Sequence, residues 1–384
     1  MKVLICPDSF KGTFSALKVS NYIAEGVKQA CPQVQTTIIP LADGGEGTLD
    51  ALSSLLHFHK KKVAGPLGRH NKVIARYGIM KNKPDTAIIE ASEANGLHLV
   101  PEEKRNPLYT TTFGVGELIK AALDRQCREI IVGIGGSSTN DAGIGMAQSL
   151  GVQFFNQDRT EIQTSRQRGY CGESLAQLHS IDSSTIDPRV RQCSFLTASD
   201  VQNPLYGKNG AAFVYAPQKG ASQDQVRFLD QGLKNFAEAV KNSLYKNIAD
   251  LPGAGAAGGL GAGLRVFMDA DLISGVDFIM DTIQMEQYIS ESDVIITGEG
   301  RFDAQTATGK TIYGVLSAAK NHNKPVIVVA GSLGADYERI IPEHISVIED
   351  ASRGIQKPLS YFKGYPELIR EAARKAYSKW REKV

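Results

Sequence analysis

The sequence predicts an α/β fold with a mainly parallel sheet, divided between two domains. Short apolar runs such as "VLIC" and "REIIVGI" alternate with segments whose apolar residues recur at helical spacing, a pattern typical of strand–helix units. The chain has 384 residues, which is more than one ordinary hydrophobic core supports. We therefore expect two domains.

The predicted elements follow one another in a regular order. The strand "VLIC" precedes a helix that begins near Ser15, with apolar residues at helical spacing at Leu17, Val19, Ile23 and Val27. Later units pair "TTIIPLA" with "TLDALSSLL", "REIIVGI" with "GIGMAQSL", and "SDVIITG" with "TIYGVLSAAK". The run "KPVIVVAG" predicts a further strand, and residues 366–383 predict a closing amphipathic helix. Between them, "KKVAGPLGRHNKVIARYGI" predicts paired strands around a Gly-Pro turn, and "SQDQVRFLDQGLKNFAEAVKNSLY" a long helix.

The regular strand–helix units lie towards both ends of the chain, and the middle is less regular. The simplest partition is a first domain built from residues 1–65 and 290–384, with a second domain, residues 66–289, inserted into it.

Charge and cysteine content exclude several classes of protein. The formal net charge is +2 and the basic residues are spread, so we expect no nucleic acid and no membrane as partner. The five scattered cysteines favour reduced thiols over disulfides or zinc. The apolar run in the start "MKVLICPD" is too short for a signal peptide, and no segment of the sequence could span a bilayer. We expect a soluble cytoplasmic protein. Its oligomeric state is left open, a homodimer included.

Four loops share one design: each lies after a predicted strand and before a helix, and each combines glycine with an acid. They are Asp8–Thr13 ("DSFKGT"), Asp43–Thr48 ("DGGEGT"), the loop within "IVGIGGSSTNDAGIG" that contains Asn140 and Asp141, and Gly298–Asp303 ("GEGRFD").

These loops have a functional and a purely structural interpretation. Glycine lets backbone N–H groups approach an anion, and acids beside them suit Mg²⁺ or a hydroxyl proton. A phosphate cradle, metal ligands and a base are the parts of a phosphoryl transferase. The structural interpretation is that the polar residues are helix N-caps and the glycines belong to ordinary turns. Four such loops favour the functional interpretation.

Two further motifs lack the context they need. Ala304–Thr311 matches a loose Walker A pattern, but it does not directly follow a strand, and the next strand ends in Gly and Ser. Lys310, near a helix start, remains a candidate phosphate contact. Gly253–Gly258 has the spacing G-x-G-x-x-G but follows a long helix, so a dinucleotide fingerprint is not expected. We expect the run from Gly253 to Gly263 to be a loop that needs close backbone packing, with a ligand as one candidate for what it packs against.

Six motifs, taken together and in this order, resemble the type 1 glycerate kinase family. They are "PDSFKGTFSA", "PLADGGEGT", "GIGGSSTNDAGIGM", "ASDVQNPL", "PGAGAAGGLGAG" and "TGEGRFDAQTATGK". The resemblance extends to about residue 335. It implies ATP-dependent phosphorylation of D-glycerate with Mg²⁺, with 2-phosphoglycerate as the favoured product. It also implies two α/β domains, one Rossmann-like and one inserted, that face an active-site cleft.

The candidate residues fall into three groups. Catalytic candidates are Asp200, Asp303, Lys11 and Arg301. Candidates for binding substrate or phosphate are Asp8, Ser9, Gly44, Gly45, Gly135, Gly136, Ser137, Ser138, Asn140, Asp141, Gly298 and Gly300. Candidate Mg²⁺ ligands are Asp43 and Glu46. We expect the loop Gly135–Asp141 to position anionic oxygen, with positive charge from Lys11, Arg301 or Mg²⁺. Competing interpretations are a non-catalytic sugar-acid-binding regulator and a nucleotide-dependent oxidoreductase.

Overall fold

Strands and helices alternate along the chain, as the sequence predicts. The computed structural model describes residues 1–164, 169–303, 311–335, 337–340, 344–352 and 366–384. The described strands are β1 Lys2–Ile5, β2 Gln35–Ile38, β3 Leu56–Gly65, β4 Gly68–Met80, β5 Thr86–Glu90, β6 Glu129–Gly133, β7 Gln153–Phe155, β8 Ser180–Asp182, β9 Ser194–Ala198, β10 Asp271–Ile273, β11 Val294–Thr297, β12 Arg301–Phe302, β13 Val326–Ala330, β14 Ser332–Leu333 and β15 Ile345–Asp350. The described helices are α1 Ala16–Ala30, α2 Thr48–Ala51, α3 Ser92–Asn95, α4 Phe113–Asp124, α5 Ile144–Ser149, α6 Ala211–Tyr215, α7 Gln223–Leu244, α8 Ala256–Met268, α9 Gly275–Thr282, α10 Met285–Glu291, α11 Thr311–Asn321 and α12 Pro366–Arg381.

The first sheet is built from both ends of the chain. Its order is β15-β13-β11-β1-β2, and every pairing is parallel. Numbered along the chain, these five strands read 2-1-3-4-5, the flavodoxin-like order of doubly wound sheets. The strand order reverses between β1 and β11. In such sheets ligands bind outside the carboxyl ends of the strands at this switch point.

Helix α1 shows why the predicted apolar spacing was right for three positions and wrong for one. The helix follows Ser15, whose Oγ accepts the Lys18 N–H at 3.5 Å. Val19, Ile23 and Val27 are fully buried, whereas Leu17 is 46% exposed. Residues at i, i+4 and i+8 share one face of a helix, but a residue two positions earlier points almost opposite.

The second sheet is mixed. Its order is β10-β9-β6-β5-β4-β3; β4 pairs antiparallel with β3 and β5, and the remaining pairings are parallel. The β3–β4 hairpin confirms the strands predicted around Gly65 and Pro66. The carboxyl ends of β5, β6 and β9 lie along one edge, because these neighbouring strands are parallel. Polar loops at the ends of these strands therefore meet at that edge.

The contacts divide the chain into two compact units. The first unit is residues 1–43, 50–54 and 275–384, and the second is residues 44–49 and 55–274. The units differ from the predicted domain boundaries in three places, the first being residues 44–49, which belong to the second unit. Strand β3 belongs to the second sheet, and α9 belongs to the first unit. The assignment of folding domains remains a prediction.

Two simple properties accompany this fold. All five cysteines are free. Among the helices that the structure describes, none combines the length and apolar character needed to cross a bilayer.

The glycine segment that leads into α8 packs backbone against backbone, as predicted for the run from Gly253 to Gly263. The run is not a loop throughout, because α8 begins at Ala256. Ala257, Gly258 and Gly259 have left-handed φ angles of 54°, 70° and 87°. A Cβ on Gly258 would lie 2.0 Å from the Thr139 carbonyl oxygen, and the Ala142 N–H donates to the Gly258 carbonyl at 3.1 Å. The segment follows a helix rather than a strand, so it forms no dinucleotide fingerprint.

This packing predicts that Gly258→Ala destabilises the fold more than a matched substitution in open space. Gly207 is the control, because its φ is +91° and a Cβ added to it would have no neighbour within 4 Å among the described residues. Gly207→Ala should cost about 1 kcal/mol of left-handed strain. Gly258→Ala should add about 1–3 kcal/mol of overpacking. Urea unfolding of both variants measures this, and equal losses would contradict it.

Candidate active site

The loops at the switch point of the first sheet enclose a small charged cavity. Its volume is about 220 Å³, and its lining consists of Asp8, Ser9, Lys11, Asp43, Glu299, Gly300 and Arg301. The segment after β1 is tied to the segment after β11 by the Asp8 N–H, which donates to the Gly298 carbonyl at 2.8 Å. A Cβ on Gly298 would lie 2.1 Å from the Val329 carbonyl oxygen, so this position requires glycine.

Asp8 is a buried carboxyl with a raised pKa. It accepts a hydrogen bond from the Ser9 N–H at 2.6 Å and one from the Thr311 hydroxyl at 2.9 Å. Burial raises the pKa of Asp8 to about 6, and the nearby Asp43 carboxylate adds to the effect, while Lys11 and the two hydrogen bonds oppose it. Two carboxyls that face one small cavity favour a cation between or beside them.

Lys11 and Arg301 bring positive charge to this cavity. Lys11 Nζ lies 2.5 Å from Asp43 Oδ2, and the Lys11 side chain is 69% exposed. The pKa of Lys11 is raised, chiefly because of Asp43. Arg301 Nε lies 3.2 Å from Asp303 Oδ2, with the Arg301 side chain 63% exposed. Such exposed pairs stabilise a fold little, so both cations can reorient towards an anionic ligand.

The cavity can hold Mg²⁺ only if substrate phosphates and water supply most of the metal's ligands. Among the described residues, no group of three or more His, Cys, Asp or Glu side chains is placed to hold a metal. Mg²⁺ is usually bound by one or two carboxylates together with substrate phosphates and water. Asp43, with Asp8 beside it, fits that requirement.

A buried glutamate at the carboxyl end of β5 holds the loop that carries Glu46. Glu90 accepts hydrogen bonds from the Gly47 N–H at 3.2 Å, the Leu49 N–H at 3.1 Å and the Ser92 hydroxyl at 2.6 Å. Burial raises the pKa of Glu90 to about 7, although these hydrogen bonds lower it. Glu46 itself is 65% exposed, with an oxygen 4.0 Å from His98 Nδ1.

Residues 44–49 therefore belong to the second unit, although the sequence placed this loop in the first domain. A Cβ on Gly133 would lie 2.4 Å from the Gly44 carbonyl oxygen, and one on Gly136 would lie 3.4 Å from Glu46 Cβ. The loop thus packs against the carboxyl end of β6. Asp43 belongs to the first unit.

The loop after β6 is buried despite its polar sequence. Ser137, Ser138, Thr139, Asn140 and Asp141 are each 6% exposed or less. Asp141 Oδ2 accepts from the Thr112 N–H and hydroxyl, both at 2.8 Å, and Oδ1 accepts from the Gly143 N–H at 3.2 Å. Burial raises the pKa of Asp141. Asp141 therefore anchors the loop to α4.

A lysine from elsewhere in the second unit holds this loop. Lys219 is 6% exposed, and its Nζ donates to Ser137 Oγ at 2.9 Å and to the Thr139 carbonyl at 2.7 Å. Burial lowers the pKa of Lys219 to about 7, and the Asp141 carboxylate opposes this. We expected the positive charge for this loop from Lys11, Arg301 or Mg²⁺, but the second unit also supplies its own cation.

The remaining predicted residues lie at loop positions of the same two edges. Asp200 follows β9 in the second unit and is half-buried, and Gly135 and Gly136 follow β6. Ser138 donates to the Asn95 carbonyl at 2.8 Å. Gly45 accepts from the Thr48 hydroxyl through its carbonyl at 2.7 Å. The Walker-like residues 304–310, Lys310 included, lie outside the described residues.

Four residues that shape these sites were not predicted: Glu90, Asn95, Lys219 and Thr311. Glu90 carries the same signal as the predicted loops, an acid at the end of the apolar strand "TAIIE". Lys219 lies near the end of the stretch "VQNPLYGKNGAAFVYAPQKGA", which continues the motif "ASDVQNPL" and also resembles the family. Nothing in its local sequence indicates that it is buried.

Comparison with known proteins identifies the family. The sequence profile of the glycerate kinase family matches residues 3–381. A glycerate kinase of Halalkalibacterium halodurans is 47% identical over 344 residues, which is 89% of this chain and 88% of the relative. The glycerate 2-kinase of Escherichia coli K12 is 42% identical over 376 residues, 97% of this chain and 96% of the relative. A crystal structure named as glycerate kinase 2 from Salmonella typhimurium LT2 matches with a TM-score of 0.77 at 39% identity, covering 100% of this chain and 99% of that chain. The chain therefore belongs to the glycerate kinase family of enzymes.

Proposed function

We propose that this protein transfers the γ-phosphoryl group of ATP to D-glycerate and that the product is 2-phosphoglycerate. The O2 hydroxyl of glycerate forms the new bond to phosphorus, ADP leaves, and the hydroxyl proton passes to a carboxylate. Family membership supports the kinase activity, and the name of the E. coli relative supports the 2-position.

The observation that carries this proposal is the charged cavity at the switch point of the first sheet. It combines the acids Asp8, Asp43 and Glu299 with the cations Lys11 and Arg301 in about 220 Å³. A site lined by carboxylates alone would repel phosphate. A site that only bound an anion through its cations would not need three acids. Together the acids and the cations match a metal–phosphate group, which needs carboxylates for the metal and cations for the phosphate oxygens.

We assign the phosphate end of ATP to this cavity, with Asp43 as a Mg²⁺ ligand. Mg²⁺, when bound, would neutralise charge on the phosphate oxygens. Glu46 was predicted as a second ligand; it belongs to the second unit and stays a prediction. Asp200 and Asp303 remain the candidates for the carboxylate that accepts the hydroxyl proton.

We further propose that the protein acts in the cytoplasm on small molecules and binds no nucleic acid. The low net charge of +2 supports this, because counter-ion release needs a concentrated basic surface. A homodimer is compatible with this proposal and can be tested by light scattering.

The first prediction is the reaction itself. With MgATP and D-glycerate, an enolase-coupled assay should report product without added phosphoglycerate mutase, because enolase consumes only 2-phosphoglycerate. EDTA should abolish turnover, and excess Mg²⁺ should restore it. A signal that requires the mutase would assign the 3-position instead. Turnover that persists after complete metal removal would contradict the metal role.

The second prediction concerns the two cations of the cavity. Lys11→Met and Arg301→Met should each lower kcat/KM about 10²-fold, because they remove charge that stabilises the transferred phosphoryl group. Lys18→Met is the matched control, since Lys18 is an exposed lysine of the same unit. A loss below about threefold, with unchanged stability, would show that these residues form only surface ion pairs.

The third prediction separates the base from the metal ligand. Asp43, Asp200 and Asp303 are each replaced by Asn. The variant that lacks the base should have a lower kcat and an unchanged apparent affinity for Mg²⁺. A variant that lacks a metal ligand should have both values lowered. Asp224→Asn is the control, because the Asp224 side chain is 93% exposed. The measurement is kcat as a function of Mg²⁺ concentration. Wild-type kcat in all three variants would mean that these acids serve as caps.

A further inference from the structure

The buried loop Ser137–Asn140 carries polar atoms whose hydrogen bonds the protein does not complete. Asn140 is fully buried, and neither its Nδ2 nor its Oδ1 has a hydrogen-bond partner within the described chain. Asn95, also fully buried, donates from Nδ2 to Thr139 Oγ1 at 3.2 Å, while its Oδ1 has no partner among the same residues. Buried polar atoms normally find partners, and leaving one unpaired costs free energy. A polar ligand would supply the missing partners.

The Lys219 ammonium group also has a donor without a partner among the described residues. An ammonium group has three N–H donors, and among the described residues Nζ has two acceptors, Ser137 Oγ and the Thr139 carbonyl. Asp141 is the charged group that favours its protonation, but both Asp141 oxygens are already engaged by Thr112 and Gly143. A buried cation without a dedicated counter-ion is stabilised when a ligand brings a negative charge.

The unfilled donors and acceptors together define a chemical class of ligand. The amide nitrogen and the ammonium require acceptors, and the buried ammonium favours an anionic one; the two amide oxygens require donors, which hydroxyl groups can supply. A fully ionised phosphate chain offers acceptors but no donors. A small hydroxy acid offers a carboxylate and hydroxyl groups within a few ångströms.

We propose that the loop Ser137–Asn140 is the binding site for a small hydroxy acid, with Lys219 and Asn140 donating to its carboxylate and an amide oxygen of Asn95 or Asn140 accepting from a hydroxyl that is not the one phosphorylated. That the acid is D-glycerate rests on the proposed function. Lys219 and Asn140 then act on the acceptor substrate, separately from the phosphate cavity of the first unit.

Binding at this site has a measurable proton signature. The pKa of Lys219 lies at about 7 in the unliganded protein because of burial, so above pH 7 most molecules carry it neutral. A bound carboxylate favours the ammonium form and raises that pKa. Binding at pH 8 should therefore take up a proton, and the uptake should approach about one per ligand.

The experiment is calorimetric titration of the full chain with D-glycerate, without ATP, at pH 8 in two buffers of different ionisation enthalpy. The wild type should take up close to one proton. Lys219→Met should bind about 10- to 100-fold more weakly, the range for a hydrogen bond to a charged partner, and show no uptake. Lys219→Arg, which stays charged, should bind better than Lys219→Met, also without uptake. Lys234→Met, an exposed lysine on α7, is the matched control and should match the wild type.

Asn140→Ala provides a test that does not depend on the loop's internal bonds, since the Asn140 amide makes none within the described chain. The variant should fold as stably as the wild type, or more so, and bind D-glycerate more weakly. Wild-type affinity in both Asn140→Ala and Lys219→Met, or binding without proton uptake in the wild type, would overturn the proposed site.

The outcomes separate the site from the proposed function. Phosphorylation of D-glycerate with an unchanged KM in Lys219→Met and Asn140→Ala would overturn the site and leave the function standing. Binding of glycolate or D-lactate with Lys219-dependent proton uptake, and none of D-glycerate, would support the site and contradict the function.

Discussion

The structure depends on the burial of the polar loop Ser137–Asp141. A glycine-rich backbone segment can pack directly on this loop because it has no side chains in the way. Gly258 lets the α8 segment come so close to Thr139 and Asn140 that a single Cβ would overlap the Thr139 carbonyl. This approach removes water from Ser137–Asp141. Every polar group of the loop must then be paired inside the protein, as Asp141 is with Thr112, or remain available to a ligand, as Asn140 is within the described chain.

Burial also sets the protonation of functional groups elsewhere in the two units. Desolvation is the largest cause of the raised pKa values of Asp8 (about 6) and Glu90 (about 7), and of the lowered pKa of Lys219 (about 7). Acids and a base that ordinarily titrate far apart are thereby brought near neutral pH. Such groups respond to a bound charge by changing protonation, which is the property that a site for anionic substrates requires.

Local pattern in the sequence was enough to predict the strands and the first cavity, but not the features that tertiary contacts decide. Apolar runs and glycine–acid loops predicted the parallel strands and placed Asp8, Lys11 and Asp43 in the segments after β1 and β2. Arg301 was predicted in a loop but begins the short strand β12. The structure brings these four residues to one cavity. The pattern could not show that residues 44–49 leave the first unit, because that depends on Glu90, more than 40 positions later in the chain. Nor could it show that Lys219 is buried, because the local sequence around a lysine does not say whether the folded chain encloses it.

The most direct measurement is a crystal structure of the protein with D-glycerate. We predict the glycerate carboxylate within hydrogen-bonding distance of Lys219 Nζ and Asn140 Nδ2, with a hydroxyl donating to an amide oxygen of Asn95 or Asn140. Glycerate bound elsewhere, with the Asn140 amide still without a partner, would contradict the proposed site.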